Sequence, residues 1–447
     1  MKKVVVIGGN AGGLSAASQV KRQQPEWDVI VLEKGQYISY AACGIPYHVE
    51  GIVPGLDNLL GVSPEDARKK RKLDLRLNSE VTAIDPGGKS VTFKDDQGKN
   101  TIDFDYLVIA TGARPMQTGI EYTPAKRIFN AHKLDDSEAI RSFIESEKPR
   151  SCAVVGGGYI AIEMLEAFLA RGLETHLFHR RDSLSRSLEK EISDLGLAEM
   201  EKEGVKLRLN KTVKKVTESN GKAKVHCENE TADFDLVIVA AGVEADSALA
   251  RAARIETGIK KSIKVNEYMQ TNYPYIYSAG DCTETKNIIS GKPVFVPLAL
   301  KANKEGVAAG VNISGGKEAF PGVLGTAITK FRSLGLARTG LTLAEAEESG
   351  FKAVSFSVTA GSKSGYYPGV GPLTAVLVAE QGTGRLLGAQ LAGPVDGVKR
   401  IDVYATAITV KMTMEEIYQL DLAYAPPFSP VYDPVVLTGR VGRKKVE

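Results

Sequence analysis

One pattern occurs twice in this chain, and it restricts the fold more than any other feature. Lys3–Ile7 is largely apolar and runs into the glycine turn Gly8–Gly13. An amphipathic stretch, Leu14–Gln23, and a second apolar run ending at Glu33 follow. The order returns as Cys152–Val155, Gly156–Gly158, Tyr159–Arg171 and Glu174–His179. Each copy closes on a similar phrase, FDYLVIATG at 104–112 and FDLVIVAAG at 234–242. Apolar strands alternating with amphipathic helices fit parallel sheets buried on both faces, so an α/β chain with two doubly wound nucleotide-binding domains is expected.

The first domain is expected over 1–115 and again over 245–322, the second over 116–244, with EKPR at 147–150 a linker between the copies. From about Val323 the pattern changes. Ser355–Val358 and Thr374–Ala379 read as antiparallel strands, with helices near Val398–Thr409 and Met414–Gln419 and a tail rich in Pro and aromatics at 424–434. Residues 323–447 are therefore expected to form a C-terminal α+β domain.

Composition removes several function classes. A net charge of +3 spread over 447 residues argues against a nucleic-acid binder. Four cysteines in so long a chain make no disulfide framework and point to a reducing cytoplasm. The apolar run before Gly8 is too short for a secretory segment, which needs about 7–15 residues. No run approaches the roughly 20 of a membrane span. No metal site and no membrane partner are expected.

A glycine turn between a buried strand and a helix brings backbone N–H groups to a pyrophosphate. In GGNAGG the middle glycine of the usual fingerprint is Asn10, but Glu33 stands 20 residues after Gly13, where a carboxylate can hold ribose hydroxyls. The second turn, GGGYIA, is followed at the same place by His179 and then Arg180, Arg181 and Arg186. An acid there would repel a ribose 2′-phosphate, and arginines would clamp one. A solvated basic loop is the plainer reading of that charge run; its place at the specificity position favours NADPH.

With ATGARP at 110–115, GGGYIAIE at 156–163 and SAGD at 278–281, the whole chain resembles the flavoprotein disulfide reductases, the pyridine nucleotide-disulfide oxidoreductases. The resemblance implies FAD on the first domain, at Gly8, Asn10, Ala11, Gly12, Gly13, Glu33, Lys34, Ala110, Thr111, Gly112, Arg114, Gly280 and Asp281, with the helix after Pro297, Leu298 and Ala299 aimed at the flavin ring. It implies NADPH or NADH on the second, at Gly156, Gly158, Tyr159, Ile160, Glu163, His179, Arg180, Arg186 and Gly242, with Tyr159 gating the nicotinamide pocket. It also implies a homodimer joined through the C-terminal domain.

The family's two-cysteine members carry C-x-x-x-x-C. Here SYAACGIPYH leaves Cys43 alone, with His48 five residues on. Small neighbours Ala41, Ala42 and Gly44 would let a flavin and a substrate approach the sulfur. A low-pKa thiolate there can attack a disulfide or persulfide. An inert buried role suits Cys152, Cys227 and Cys282 better.

This single-cysteine pattern resembles coenzyme A disulfide reductases and NAD(P)H persulfide reductases. The oxidase and peroxidase members carry a His where this chain has Ala11. Ser15, Gln19 and Arg22 form one polar stripe on the first helix. Together with Ser39 and Ala42 they match positions that contact coenzyme A, and the KKRK cluster at 69–72, with Arg71, reads either as a holder of CoA phosphates or as a solvated helix face. Two departures weaken CoA specificity: Ala42 replaces an Asn, and Tyr432 stands where a Lys is expected. Tyr424, and Tyr366 or Tyr367, match tyrosines sent into the partner's active site, where a phenol can protonate a leaving thiolate.

The expected reaction is FAD-dependent reduction of coenzyme A disulfide or a CoA-type persulfide by NAD(P)H through Cys43, with CoA as substrate or as a mixed disulfide on that sulfur. Alternatives are a polysulfide or persulfide reductase without CoA specificity, an NADH oxidase, and a reductase of an electron-transfer protein. No rhodanese-like segment is legible, so a persulfide is expected to arrive from outside.

Overall fold

The computed structural model describes residues 1–116 and 119–447. Its first sheet pairs Lys3–Ile7 in parallel with Asp28–Leu32 on one side and Tyr106–Ile109 on the other. Ile276–Ser278 completes that sheet from beyond the second repeat, in parallel with Tyr106–Ile109. All three residues of the returning strand are buried. The turn that follows them is thereby laid against the first glycine turn.

Helix Ala11–Gln23 packs on Ala299–Ile313, and small residues set how closely the two cross. A Cβ on Gly310 would come within 2.7 Å of the Ala16 carbonyl oxygen. Gly8 adopts φ +102°, a left-handed conformation that a side chain would strain.

The second sheet repeats the arrangement with Ser151–Val155 in parallel with Glu174–Phe178 and Leu236–Val239. EKPR proves not to be a linker. Helix Leu134–Glu147 runs into Ser151–Val155 within the same unit, and Ile128–Phe129, which precedes that helix, is already a strand of the second sheet. The Pro in the short turn is what made it read as a boundary.

Two further antiparallel sheets of three strands each, Glu80–Asp103 and Val213–Phe234, hang from the two units. The C-terminal residues form a five-stranded antiparallel sheet that includes Ala353–Gly361 and Pro372–Glu380, with helices Ile401–Thr409, Met414–Tyr418 and Pro434–Gly442. Among the described residues, no helix is long and apolar enough to cross a membrane.

Candidate active site

The first glycine turn and Glu33 are locked together. Gly9 N–H donates to Glu33 Oε2 and Gly35 N–H to Oε1, both at 2.8 Å. Each carboxylate oxygen keeps a second lone-pair direction for a ligand hydroxyl. A Cβ on Gly12 would lie 3.0 Å from the Ala279 carbonyl oxygen, so the two turns leave backbone, not side chains, facing the space between them. Asp281 sits at its edge with Oδ1 buried and without a partner, and burial raises its carboxyl above the usual range. Leu298 caps helix Ala299–Ile313 without a side-chain bond, leaving first-turn N–H groups free. A glycine cradle, a ribose-type carboxylate and an orphaned buried carboxylate oxygen fit a flavin dinucleotide.

Lys34 and Arg114, expected to touch the cofactor, are engaged by the protein. Lys34 pairs with Asp246 at 3.6 Å, and Arg114 donates through Nε and Nη2 to Glu244. Thr111 Oγ1 donates to the Asp246 carbonyl at 2.5 Å, and Asp246 N–H to the Gly112 carbonyl. Residues 244–246 thus brace the ATG segment.

In the second unit, Gly156 takes φ +138°, and a Cβ on Gly157 would lie 2.8 Å from the His179 ring. His179 Nε2 is buried without a partner, and burial followed by Arg181 and Arg180 lowers its basicity. Arg181 is lowered too, by burial first and then by Arg186 and Arg180, so three guanidiniums crowd one loop. Tyr159 opens helix Tyr159–Ala170 with its hydroxyl buried and unpartnered, and Ile160 beside it is exposed. Glu163, one turn on, accepts from Thr329 Oγ1 at 3.0 Å. Gly158 and Gly242 border the same cleft with no atoms near a built Cβ.

Cys43 lies in a short 3-10 turn, Ala42–Gly44, just before helix Ile45–Glu50, and it alone of the four cysteines is exposed. Ala41 N–H donates to the Leu59 carbonyl at 2.8 Å, which closes the loop. The protein pushes the Cys43 thiol up, through burial first, then Glu163, then Asp281. Two carboxylates oppose a thiolate at this sulfur, and the backbone N–H of Cys43 favours one more weakly.

The segment beyond Cys43 is anchored in the second unit. His48, 1% exposed, bonds through Nδ1 to Ser137 Oγ at 2.8 Å. Arg171 Nε donates to the Val49 carbonyl at 2.8 Å and Arg141 Nη1 to the Pro54 carbonyl at 2.9 Å. Ile45, Val49 and Leu59 share one apolar core with Ile140, Leu165 and Phe168.

The CoA-type residues divide. Gln19 accepts from Arg22 at 2.6 Å, while Ser15 donates to Asn303 on the facing helix. Ser39 holds a strained φ of 50° beside the cysteine loop. Of KKRK, only Arg71 turns to the first helix, donating to Ser18 Oγ at 2.8 Å. Lys69 and Lys70 pair with Glu65 and Asp66 one turn earlier. The cluster thus straddles the end of helix Pro64–Lys69, with only Lys69 inside it.

Tyr366 is 77% exposed and Tyr424 48%; the neighbouring Tyr424 phenol raises the Tyr366 phenol above its ordinary value. Tyr367 is only half-buried, and its N–H is used by the Ser364 carbonyl.

Sequence reasoning passed over Tyr40, Thr329 and the Lys301–Glu305 pair. Tyr40 is pushed up to about 12 by burial and then Glu33, with Asn10 opposing the rise. Only the i, i+4 spacing of Lys301 and Glu305 was a visible signal.

The sequence matches the family described as pyridine nucleotide-disulphide oxidoreductase over residues 2–306, and that family's dimerisation domain over 326–434. It is 42% identical over 441 residues to the NAD(P)H coenzyme A polysulfide/persulfide reductase of Pyrococcus horikoshii, covering 98% of each chain. Identity to the coenzyme A disulfide reductase of Staphylococcus haemolyticus is 29% over 446 residues, covering 99% of this chain and 100% of that one. The solved NAD-dependent persulfide reductase from A. fulgidus superposes with a TM-score of 0.96 at 35% identity, over 99% of this chain and 83% of that one.

Proposed function

Because the chain belongs to the pyridine nucleotide-disulphide oxidoreductase family, we propose that it reduces a CoA-type persulfide or coenzyme A disulfide with NAD(P)H through Cys43. The observation that carries this reading is the place of that sulfur. It is the exposed cysteine, and it lies within electrostatic reach of both Asp281, at the edge of the flavin cradle, and Glu163, in the nicotinamide cleft. The 42% identity to a CoA-dependent sulfur enzyme favours a persulfide or polysulfide over the symmetrical disulfide.

FAD would be held by the Gly8–Gly13 turn, Glu33, Ala110–Gly112, Asp281 and the start of helix Ala299–Ile313. When bound, it supplies the two-electron relay between nicotinamide and sulfur. The chain's own residues do the rest. The Cys43 thiolate attacks the CoA-bound sulfur of the substrate, forming Cys43–S–S–CoA and expelling hydrosulfide from a persulfide or CoA thiolate from the disulfide. Two electrons from NAD(P)H then break the mixed disulfide, returning Cys43 and releasing CoA thiolate. Tyr424, delivered from the partner in a homodimer with Tyr366 beside it, protonates the leaving sulfur. Ser15, Gln19, Arg22, Ser39 and Arg71 line the CoA path. Arg180 and Arg186 receive the 2′-phosphate, so NADPH serves at least as well as NADH.

Intact-protein mass spectrometry after incubation with CoA disulfide tests the reading. A CoA-sized adduct is expected that dithiothreitol removes and that Cys43→Ser lacks. No adduct under these conditions, together with no turnover of CoA persulfide, overturns it.

A further inference from the structure

The helix that opens onto the flavin cradle carries two charges on its buried face. Lys301 and Glu305, one turn apart, have side chains 2% and 0% exposed and lie 3.0 Å from each other. Lys301 Nζ also donates to the carbonyls of Gly280, at 2.9 Å, and Thr283, at 3.1 Å. Glu305 Oε2 accepts from Gly280 N–H at 2.9 Å. Gly280 is thereby held at both its N–H and its carbonyl, in a left-handed conformation with φ +91°. The next residue is Asp281. Its Oδ1 and Glu305 Oε1 are both buried without a partner.

Stability alone gives a weak reason for such a pair. Removing two charges from water commonly costs as much as their attraction returns, and well-packed neutral residues often do as well. A neutral amide at 305 could accept the same Gly280 N–H bond. What a neutral residue cannot do is change charge.

We propose that Lys301 and Glu305 are positioning residues that set the reduction potential of the flavin: they fix the turn that aims Asp281 at the cofactor, and Glu305 takes up a proton when the flavin is reduced. The balance is simple. Two electrons from NAD(P)H leave added negative charge on the cofactor. One solvent proton bound by Glu305 converts the buried pair from neutral to net positive and offsets part of that charge. The proton returns to solvent when the electrons pass to the substrate's sulfur–sulfur bond.

The surroundings support this. Burial pushes the Glu305 carboxyl up to about 7, against the pull of Lys301, and Asp281 adds to the rise. The charged and titratable groups acting on this region are Lys301, Asp281, His132 across the cleft and Cys43 beyond it. The inference rests on the flavin reading above. A native chain that purifies without FAD and binds none would defeat that reading; the comparisons below address the pair alone.

The experiment uses the FAD-loaded dimer and measures the flavin midpoint potential against pH, by dye equilibration, alongside the FAD Kd. Glu305→Gln is expected to favour reduced over oxidised flavin by at least tenfold, about 30 mV for a two-electron couple. Its potential should also vary less steeply with pH than the wild type's between about pH 6 and 8. Lys301→Met is expected to weaken FAD binding at least tenfold and to lower the potential. If Lys301→Met does not fold, Glu305→Gln decides alone. A wild-type potential and pH slope in Glu305→Gln, even with a changed melting temperature, would show that the pair is only structural.

Discussion

Arg180→Glu separates phosphate recognition from a merely basic loop. The loop after Glu174–Phe178 gathers Arg180, Arg181 and Arg186, and burial, with repulsion from Arg186 and Arg180 added to it, lowers Arg181 below its ordinary value. A ligand anion relieves that repulsion, so the cluster is poised for one. A charge-assisted hydrogen bond contributes about 1.5–3 kcal/mol. A carboxylate in its place adds like-charge repulsion of about 1 kcal/mol at 4 Å in water. Arg180 is exposed, and solvent screens both terms. A net loss of about 2–3 kcal/mol follows, or roughly 30- to 150-fold in kcat/KM for NADPH. NADH has no 2′-phosphate and should change by less than about threefold. Steady-state kcat/KM for both nucleotides, at two ionic strengths, makes the comparison; the NADPH penalty should shrink in high salt. An NADPH-to-NADH ratio that the substitution leaves unmoved would refute the assignment.

Two further outcomes follow from the cysteine and the tail. Burial, Glu163 and Asp281 together hold the Cys43 thiol above its ordinary value, so alkylation of the cofactor-free protein should accelerate only as pH rises past the usual thiol range. Glu163→Gln should move that midpoint to lower pH, because Glu163 is ionised there and opposes the thiolate; an unmoved midpoint rejects the coupling. Tyr424→Phe should lower kcat for disulfide reduction by roughly 10²-fold while leaving flavin reduction by NADPH unchanged in stopped-flow traces. Equal loss in both half-reactions would make the tyrosine structural.

Much of the fold was legible because the glycine turns report backbone geometry directly. Gly8 and Gly156 take positive φ at the ends of largely apolar strands, which is the combination the sequence displays. Glu33 was legible for the same reason: its distance from Gly13 measures one helix and one strand. The site's supports were not. Lys34 with Asp246, Arg114 with Glu244, and Thr329 with Glu163 join residues more than a hundred positions apart, and no local pattern encodes such partners. Within KKRK the partners of two lysines were legible: Glu65 and Asp66, four residues before Lys69 and Lys70, have the spacing of i, i+4 pairs. The state of Cys43 was not legible either. Its neighbours in sequence are small and neutral, and the carboxylates that act on it come from distant segments.

The bonds from Ser137, Arg141 and Arg171 to the segment after Cys43 have a mechanical consequence. They tie the segment that carries the Cys43 sulfur to the second unit. Any hinge swing that opened the two units to admit a nucleotide would draw the sulfur off the flavin at the same moment. Turnover therefore favours a stiff frame in which side chains, not whole units, do the moving.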